Sequence, residues 1–217
     1  MSFSYSSFIS YRRNEYDPTF IQNFKKIIAG EALSVTNKAK VFFDEESIKW
    51  GNDFDPAIYD GILSSYFFIP IYQYNYLHVD NVWCAREIYH ALQVEKKIRE
   101  RTDNPKYSFI LPIIYRGSTD ELPDCICKIN AKSIRQLEHL IRGKKDGNLK
   151  LTEFRTDISN VFHSNFKLIE SLDINLKELC NEIEVPTDDQ IKDWIRVQNK
   201  VQKEAESKKL PLLKKTC

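Results

Sequence analysis

Tyr66-Phe67-Phe68-Ile69-Pro70-Ile71-Tyr72 is apolar at nearly every position. A strand with one wet face alternates apolar and polar side chains. This stretch does not alternate, so both of its faces must be covered. A polar and aromatic loop follows at 74–81. Then Val82, Ala85, Ile88 and Leu92 fall at helical spacing, in a helix expected to run to about Arg99. A covered strand, a loop and an amphipathic helix in succession form one unit of a parallel sheet with crossover helices.

The same unit recurs on either side. Residues 6–11 read as a buried strand, and Asp17-Pro18 as an N-cap with proline at the first helical position. Phe20, Ile21, Phe24, Ile27 and Ile28 continue at helical spacing. Lys40-Val41-Phe42-Phe43 is a short second strand ending at Asp44, and the polar segment 45–53, with Gly51, is a loop. Asp55-Pro56 repeats the cap-plus-proline device before Ile58, Ile62 and Leu63. Residues 107–115 predict an Ile-rich fourth strand. A fifth is expected near 129–134, within the irregular stretch 116–133. Phe154, Ile158, Val161, Phe162, Phe166, Ile169 and Leu172 predict a long amphipathic helix. The fold class expected is α/β: a flavodoxin-like, doubly wound, five-stranded parallel sheet with a C-terminal helical extension.

Residues 1–183 are expected to form this domain and 184–217 a C-terminal helix and lysine-rich tail. Thr187-Asp188-Asp189-Gln190 matches a capping box, and Ile191, Trp194, Ile195 and Val201 mark a helix after it. The segment reads either as a solvated helix with a frayed end or as a linker toward a partner or second domain. Trp194 needs something to pack on.

Composition narrows the function classes. Against 32 Lys and Arg stand 31 Asp and Glu, for a net charge of +1. That balance gives no reason to expect nucleic acid or a membrane surface as a partner. The chain opens Met-Ser-Phe-Ser-Tyr-Ser, without the basic and apolar regions of a signal peptide. No apolar run approaches the ~18 residues that cross a bilayer. A cytoplasmic protein is expected, with Cys84, Cys125, Cys127, Cys180 and Cys217 as reduced thiols. The chain has only 6 Gly and neither G-x-G-x-x-G nor a Walker A loop, so the usual dinucleotide and P-loop readings fail. A phospho-receiver needs acidic residues after strand one and an acceptor Asp after strand three. Arg12-Arg13 and Tyr72-Gln73 stand there instead. His78, His90, His139 and His163 show no metal-ligand spacing, and no metal is expected.

Trp83-Cys84-Ala85-Arg86-Glu87 opens the helix after strand three. Trp83 and Glu87 are four apart and share a helix face, roughly 6 Å apart at Cβ. In doubly wound sheets ligands bind outside the C-terminal ends of the strands. An aromatic plate and one carboxylate there can hold a flat cationic ring and a sugar together. The plainer alternatives are a solvated glutamate and a core or interface tryptophan. Cys84 is expected to pack inward. Arg12 and Arg13 end the first strand, and a guanidinium suits a pyrophosphate through its fork of charge-assisted bonds.

Three boxes in register carry a family resemblance. Phe8-Ile9-Ser10-Tyr11-Arg12-Arg13-Asn14 resembles the opening box of TIR (Toll/interleukin-receptor/resistance) domains. Val41-Phe42-Phe43-Asp44, with Ile48, Gly51 and Phe54, resembles their second strand and the loop after it. Trp83-Cys84-Ala85-Arg86-Glu87 resembles the W-x-x-x-E element of the NAD-cleaving, bacterial-type branch. The resemblance spans roughly residues 4–183. It implies NAD+ as a substrate rather than a cofactor, with Glu87 as the catalytic carboxylate and Trp83 stacking on nicotinamide. It implies Arg13, ahead of Arg12, for the pyrophosphate, and Ser10 and Tyr11 for the pocket floor. Asp44, Gly51 and Phe54 would belong to a loop bordering the pocket, where Asp44 could only cap the loop and Phe54 only anchor a helix. It implies nicotinamide plus ADP-ribose or a cyclic isomer as products, homo-oligomeric TIR–TIR assembly as the activating event, and a prokaryotic antiviral or cell-suicide setting, with a partner or fused sensor domain. The alternative is a TIR–TIR signalling scaffold without catalysis. The aromatic loop 72–82 lacks the serine or cysteine usual there, so the resemblance assigns no substrate contacts to it.

Overall fold

The strand at the centre of the sequence argument is buried at all eight positions in a computed structural model. The structure describes residues 3–12, 18–37, 40–43, 54–80, 82–105, 107–116, 123–127, 132–133, 137, 141, 149–172, 176–181 and 183–199. In chain order the elements are β1 (Tyr5–Ser10), α1 (Pro18–Thr36), β2 (Val41–Phe42), α2 (Phe54–Leu63), β3 (Ser65–Tyr72) and α3 (Trp83–Thr102). There follow β4 (Ile113–Ile114), α4 (Asp124–Cys127), β5 (Lys132–Ser133), α5 (Leu149–Leu172) and α6 (Leu176–Leu179). A last helix, α7, covers residues 188–199.

The strands pair in parallel in the order β2-β1-β3-β4-β5. This is the doubly wound, flavodoxin-like arrangement. Register is set by aromatic layers as well as by the ladder. Phe8 pairs with Phe42 on one side and Phe68 on the other. Its ring stacks on both, at 4.8 and 5.4 Å between centroids. Helix α2 lies against that layer, because a Cβ on Gly61 would come within 2.6 Å of the Phe42 ring. Phe67, the next residue along β3, points to the opposite face and stacks on Phe162 of α5 at 4.4 Å. On that face Phe24 of α1 meets Phe154 of α5, and Arg155 pairs with Glu31 at 2.6 Å. Alternating side chains of one strand thus serve two helical layers, which is why β3 cannot alternate with polar residues.

Some boundaries move, for physical reasons. Helix α2 begins at Phe54, so Pro56 stands in the first turn rather than at the first position. A first-turn proline costs nothing in hydrogen bonding, because those N–H groups have no acceptor within the helix. Phe54, expected in the loop, opens this helix. Helix α3 runs past Arg99 to Thr102 and stops where Asp103 turns left-handed at φ 49°. The fourth strand is not a continuous ladder over 107–115. It is a bridge between Phe68 and Ile110 and then the two residues of β4. Pro112, lying between them, has no N–H to give. Glu95 of α3 supports this interrupted edge. Its carboxylate accepts the Ile110 N–H at 2.9 Å and pairs with Arg99 at 2.6 Å. Burial raises the Glu95 pKa, while the Ile110 N–H and the Arg99 charge oppose the rise.

The Asp17 cap, the loop at 45–53, Ile129, Ile134, His139, Val201 and the tail from residue 200 lie outside the described residues. The capping box is formed as its spacing requires. Thr187 N–H donates to Gln190 Oε1 at 2.8 Å, and Gln190 N–H to Thr187 Oγ1 at 3.3 Å. Helix α7 packs on α3. Ile191 and Ile195 are fully buried, and Trp194 meets the edge of Tyr89 at 5.6 Å. Asp188 pairs with Arg86, and Gln198 accepts the Cys125 N–H at 3.1 Å.

Candidate functional site

The chain reverses its direction of winding between β1 and β3, and the crevice beyond their C-terminal ends is where such sheets take ligands. Ser10, the last residue of β1, stands there beside Pro70 of β3. Its hydroxyl donates to Glu87 Oε2 at 2.5 Å, and Tyr76 OH lies 2.5 Å from Ser10 Oγ. Glu87 is on the second turn of α3. Tyr76 comes from the loop after β3, where its N–H is turned onto Gln73 O at 2.8 Å. The end of β1 therefore meets a loop and a helix more than sixty residues further along the chain in one polar cluster. It is well enclosed, with Ser10 at 1%, Tyr76 at 0% and Glu87 at 4% exposure.

Trp83 sits at the rim instead, 41% exposed. Its ring is already occupied by a cation, since the Arg86 guanidinium lies 5.3 Å over its centroid. Arg86 is in turn paired with Asp188 of α7. Cys84 packs inward, as expected. Arg12 donates from Nη1 to the Asn75 carbonyl at 2.7 Å, tying the end of β1 to the loop after β3. Beside that loop is an open cleft of about 260 Å³ lined by Gln73, Tyr74, Asn75 and Arg116. Tyr11 turns away into the core, stacked on Phe43 at 4.9 Å.

Of the residues expected at the site, Ser10 and Glu87 are in direct contact. Arg12 and Trp83 lie on the segments that border them. Arg13, Asp44 and Gly51 lie outside the described residues. Tyr76, Arg86 in its bridging position and Asp188 were not expected. Tyr76 gives no signal in sequence, because one tyrosine among several in an aromatic loop carries no spacing that points to a partner 66 residues away.

One turn beyond Glu87, His90 is 3% exposed and packs on Tyr59 of α2 at 4.5 Å. Among the described residues, neither ring nitrogen has a hydrogen-bond partner. Burial lowers its pKa from 6.5 to about 4, so the imidazole is neutral at physiological pH. Among the described residues no group of three or more His, Cys, Asp or Glu could hold a metal ion. No helix among them is long and apolar enough to cross a membrane.

No curated protein gives a significant match to the chain. The family model for the TIR domain matches residues 4–120. That span runs from the first strand through the whole of α3 to just past β4, and so includes Ser10, Tyr76 and Glu87. β5, α5 and α7 come after it and complete the sheet and its cover. The parallel order of the strands, the position of the cluster and the matched span agree, and the chain belongs to the TIR domain family.

Proposed function

We propose that this TIR domain is an NAD+ nucleosidase that cleaves the bond between nicotinamide and ribose. The observation that carries the reading is Glu87, a single enclosed carboxylate fixed by Ser10 at the ligand-binding edge of the sheet, four residues after Trp83.

The chemistry suits one carboxylate. The bond from C1′ of the ribose to the pyridinium nitrogen breaks heterolytically. Its electron pair goes to nitrogen and leaves nicotinamide neutral, so the leaving group needs no general acid. Ordinary glycosidases need a second carboxyl group for that task. Positive charge develops on the ribose, and Glu87 stabilises it as it appears. Water then bonds to C1′ and releases a proton, giving ADP-ribose. If an adenine nitrogen reaches C1′ first, the product is a cyclic isomer. Arg12, and Arg13 beside it in sequence, supply charge for the pyrophosphate. Trp83 offers a stacking surface worth about 0.5–2 kcal/mol to a cationic ring. The face under Arg86 becomes available only when that guanidinium moves.

The second reading, a non-catalytic TIR–TIR scaffold, draws on the enclosure of Glu87 within one chain. The enzyme reading meets this through assembly: association of TIR domains would open or complete the pocket, as suits a cytoplasmic prokaryotic defence protein acting on command. The test is nicotinamide release from NAD+ by the chain at high concentration with a crowding agent, beside Glu87→Gln. Loss of an interaction made in the transition state costs on the order of 10²–10³ in turnover. Release by the parent, reduced by that factor in the variant, supports the enzyme. Equal release by both would remove Glu87 from the chemistry. No release by a folded, assembled parent would favour the scaffold.

A further inference from the structure

We infer that Tyr76 is a positioning residue for Glu87, acting through Ser10. This rests on the NAD+-cleaving reading for its kinetic consequence but not for its geometry.

Proton counting fixes the direction of both contacts. A serine hydroxyl has one proton to give. Ser10 spends that proton on Glu87 Oε2 at 2.5 Å. The contact between Tyr76 OH and Ser10 Oγ, also 2.5 Å, must then run the other way, with Tyr76 donating. The result is a directed chain from phenol to serine to carboxylate, and each donor polarises the next. Because Tyr76 and Ser10 are almost wholly excluded from water, no solvent molecule competes for the Ser10 lone pair from the bulk. Tyr76 is fully buried and does not present itself to a ligand. Its ring is held by packing near Tyr72, with centroids 6.1 Å apart. A phenylalanine would fill the same space. The hydroxyl therefore adds little to packing. It fixes the Ser10 rotamer and hence the direction from which Glu87 is held.

The loop geometry gives this a further meaning. Tyr76 lies next to Asn75, whose carbonyl accepts from Arg12, two residues after Ser10. The loop after β3 is thus fastened to the end of β1 twice, once at the rim and once at the buried cluster. A change in that loop would reach the carboxylate through Tyr76 and then Ser10.

The experiment compares the full chain with Tyr76→Phe, Ser10→Ala and the double variant, reading NAD+ turnover, thermal midpoint and the carboxylate stretching band assigned to Glu87 by infrared difference against Glu87→Gln. Loss of one neutral hydrogen bond corresponds to roughly a 2- to 12-fold fall in kcat. That fall is expected for Tyr76→Phe with KM and thermal midpoint little changed and the Glu87 band shifted. In the Ser10→Ala background, adding Tyr76→Phe should cost less than it does alone, because the link to Glu87 is already cut. An active parent with unchanged kcat and an unshifted band in Tyr76→Phe overturns the inference. So does a fully additive double variant. A parent that leaves NAD+ intact while Tyr76→Phe still shifts the band would overturn the proposed function and leave the relay standing. A silent parent with an unshifted band would overturn both.

Discussion

Acid should unfasten this protein at His90, and the size of the effect follows from its surroundings. The ring is 3% exposed, packed on Tyr59, and among the described residues neither nitrogen has a partner. Burial alone lowers its pKa from 6.5 to about 4. The folded state therefore resists a proton that the unfolded chain accepts. Stability from this group is complete above the unfolded pKa of 6.5 and is lost as pH falls toward 4. Taking both values through the linkage relation, the loss between about pH 7.5 and pH 5 is roughly 2 kcal/mol, rising to about 3 kcal/mol once the folded state also titrates. The assay is urea denaturation of the parent and His90→Phe at both pH values. All other titratable groups are common to the two proteins, so the difference between their pH dependences reports on His90. The parent should lose about 2 kcal/mol more than the variant on acidification. Parallel losses, agreeing within the ~10–15% error of the extrapolation, would refute the argument and show that protonated His90 finds a partner or that the ring is hydrated. His90 is one turn from Glu87, so on the NAD+-cleaving reading turnover should fall more over this pH range in the parent than in His90→Phe.

Other outcomes follow from packing. Gly61→Ala places a methyl 2.6 Å from the Phe42 ring, and should destabilise by about 1–3 kcal/mol in thermal or urea unfolding. Ile195→Ala empties a fully buried position between α7 and α3 and should cost about 2–5 kcal/mol, read as early loss of hydrogen-exchange protection in residues 188–199. Thr187→Ala removes the hydroxyl that caps α7 and should cost about 1 kcal/mol, with Thr187→Asn restoring most of it.

The sequence carried the sheet because its strands are covered on both faces, so that runs such as 66–72 announce themselves by lack of alternation. It carried β4 less well. Residues 107–115 look uniformly strand-like, yet one missing N–H at Pro112 divides the pairing. The capping box at Thr187 was legible because both partners lie within four residues. The Arg86–Asp188 pair was not, since those residues are 102 apart and nothing local distinguishes either from a solvated charge. The same holds at the site. Ser10 and Glu87 were picked out through family boxes, each short and contiguous. That they touch, and that Tyr76 completes the contact, depends on a fold that brings positions 10, 76 and 87 to one end of the sheet.

The seating of α7 has a mechanical consequence. The helix is pinned to α3 at its start through Asp188 and at its middle through Trp194, and to α4 near its end through Gln198. Load arriving at residue 199 meets those fastenings in reverse order, and the last of them is on Arg86, adjacent in the chain to Glu87. Tension on this part of the chain is therefore delivered to the opening turn of α3 and to the guanidinium resting on Trp83.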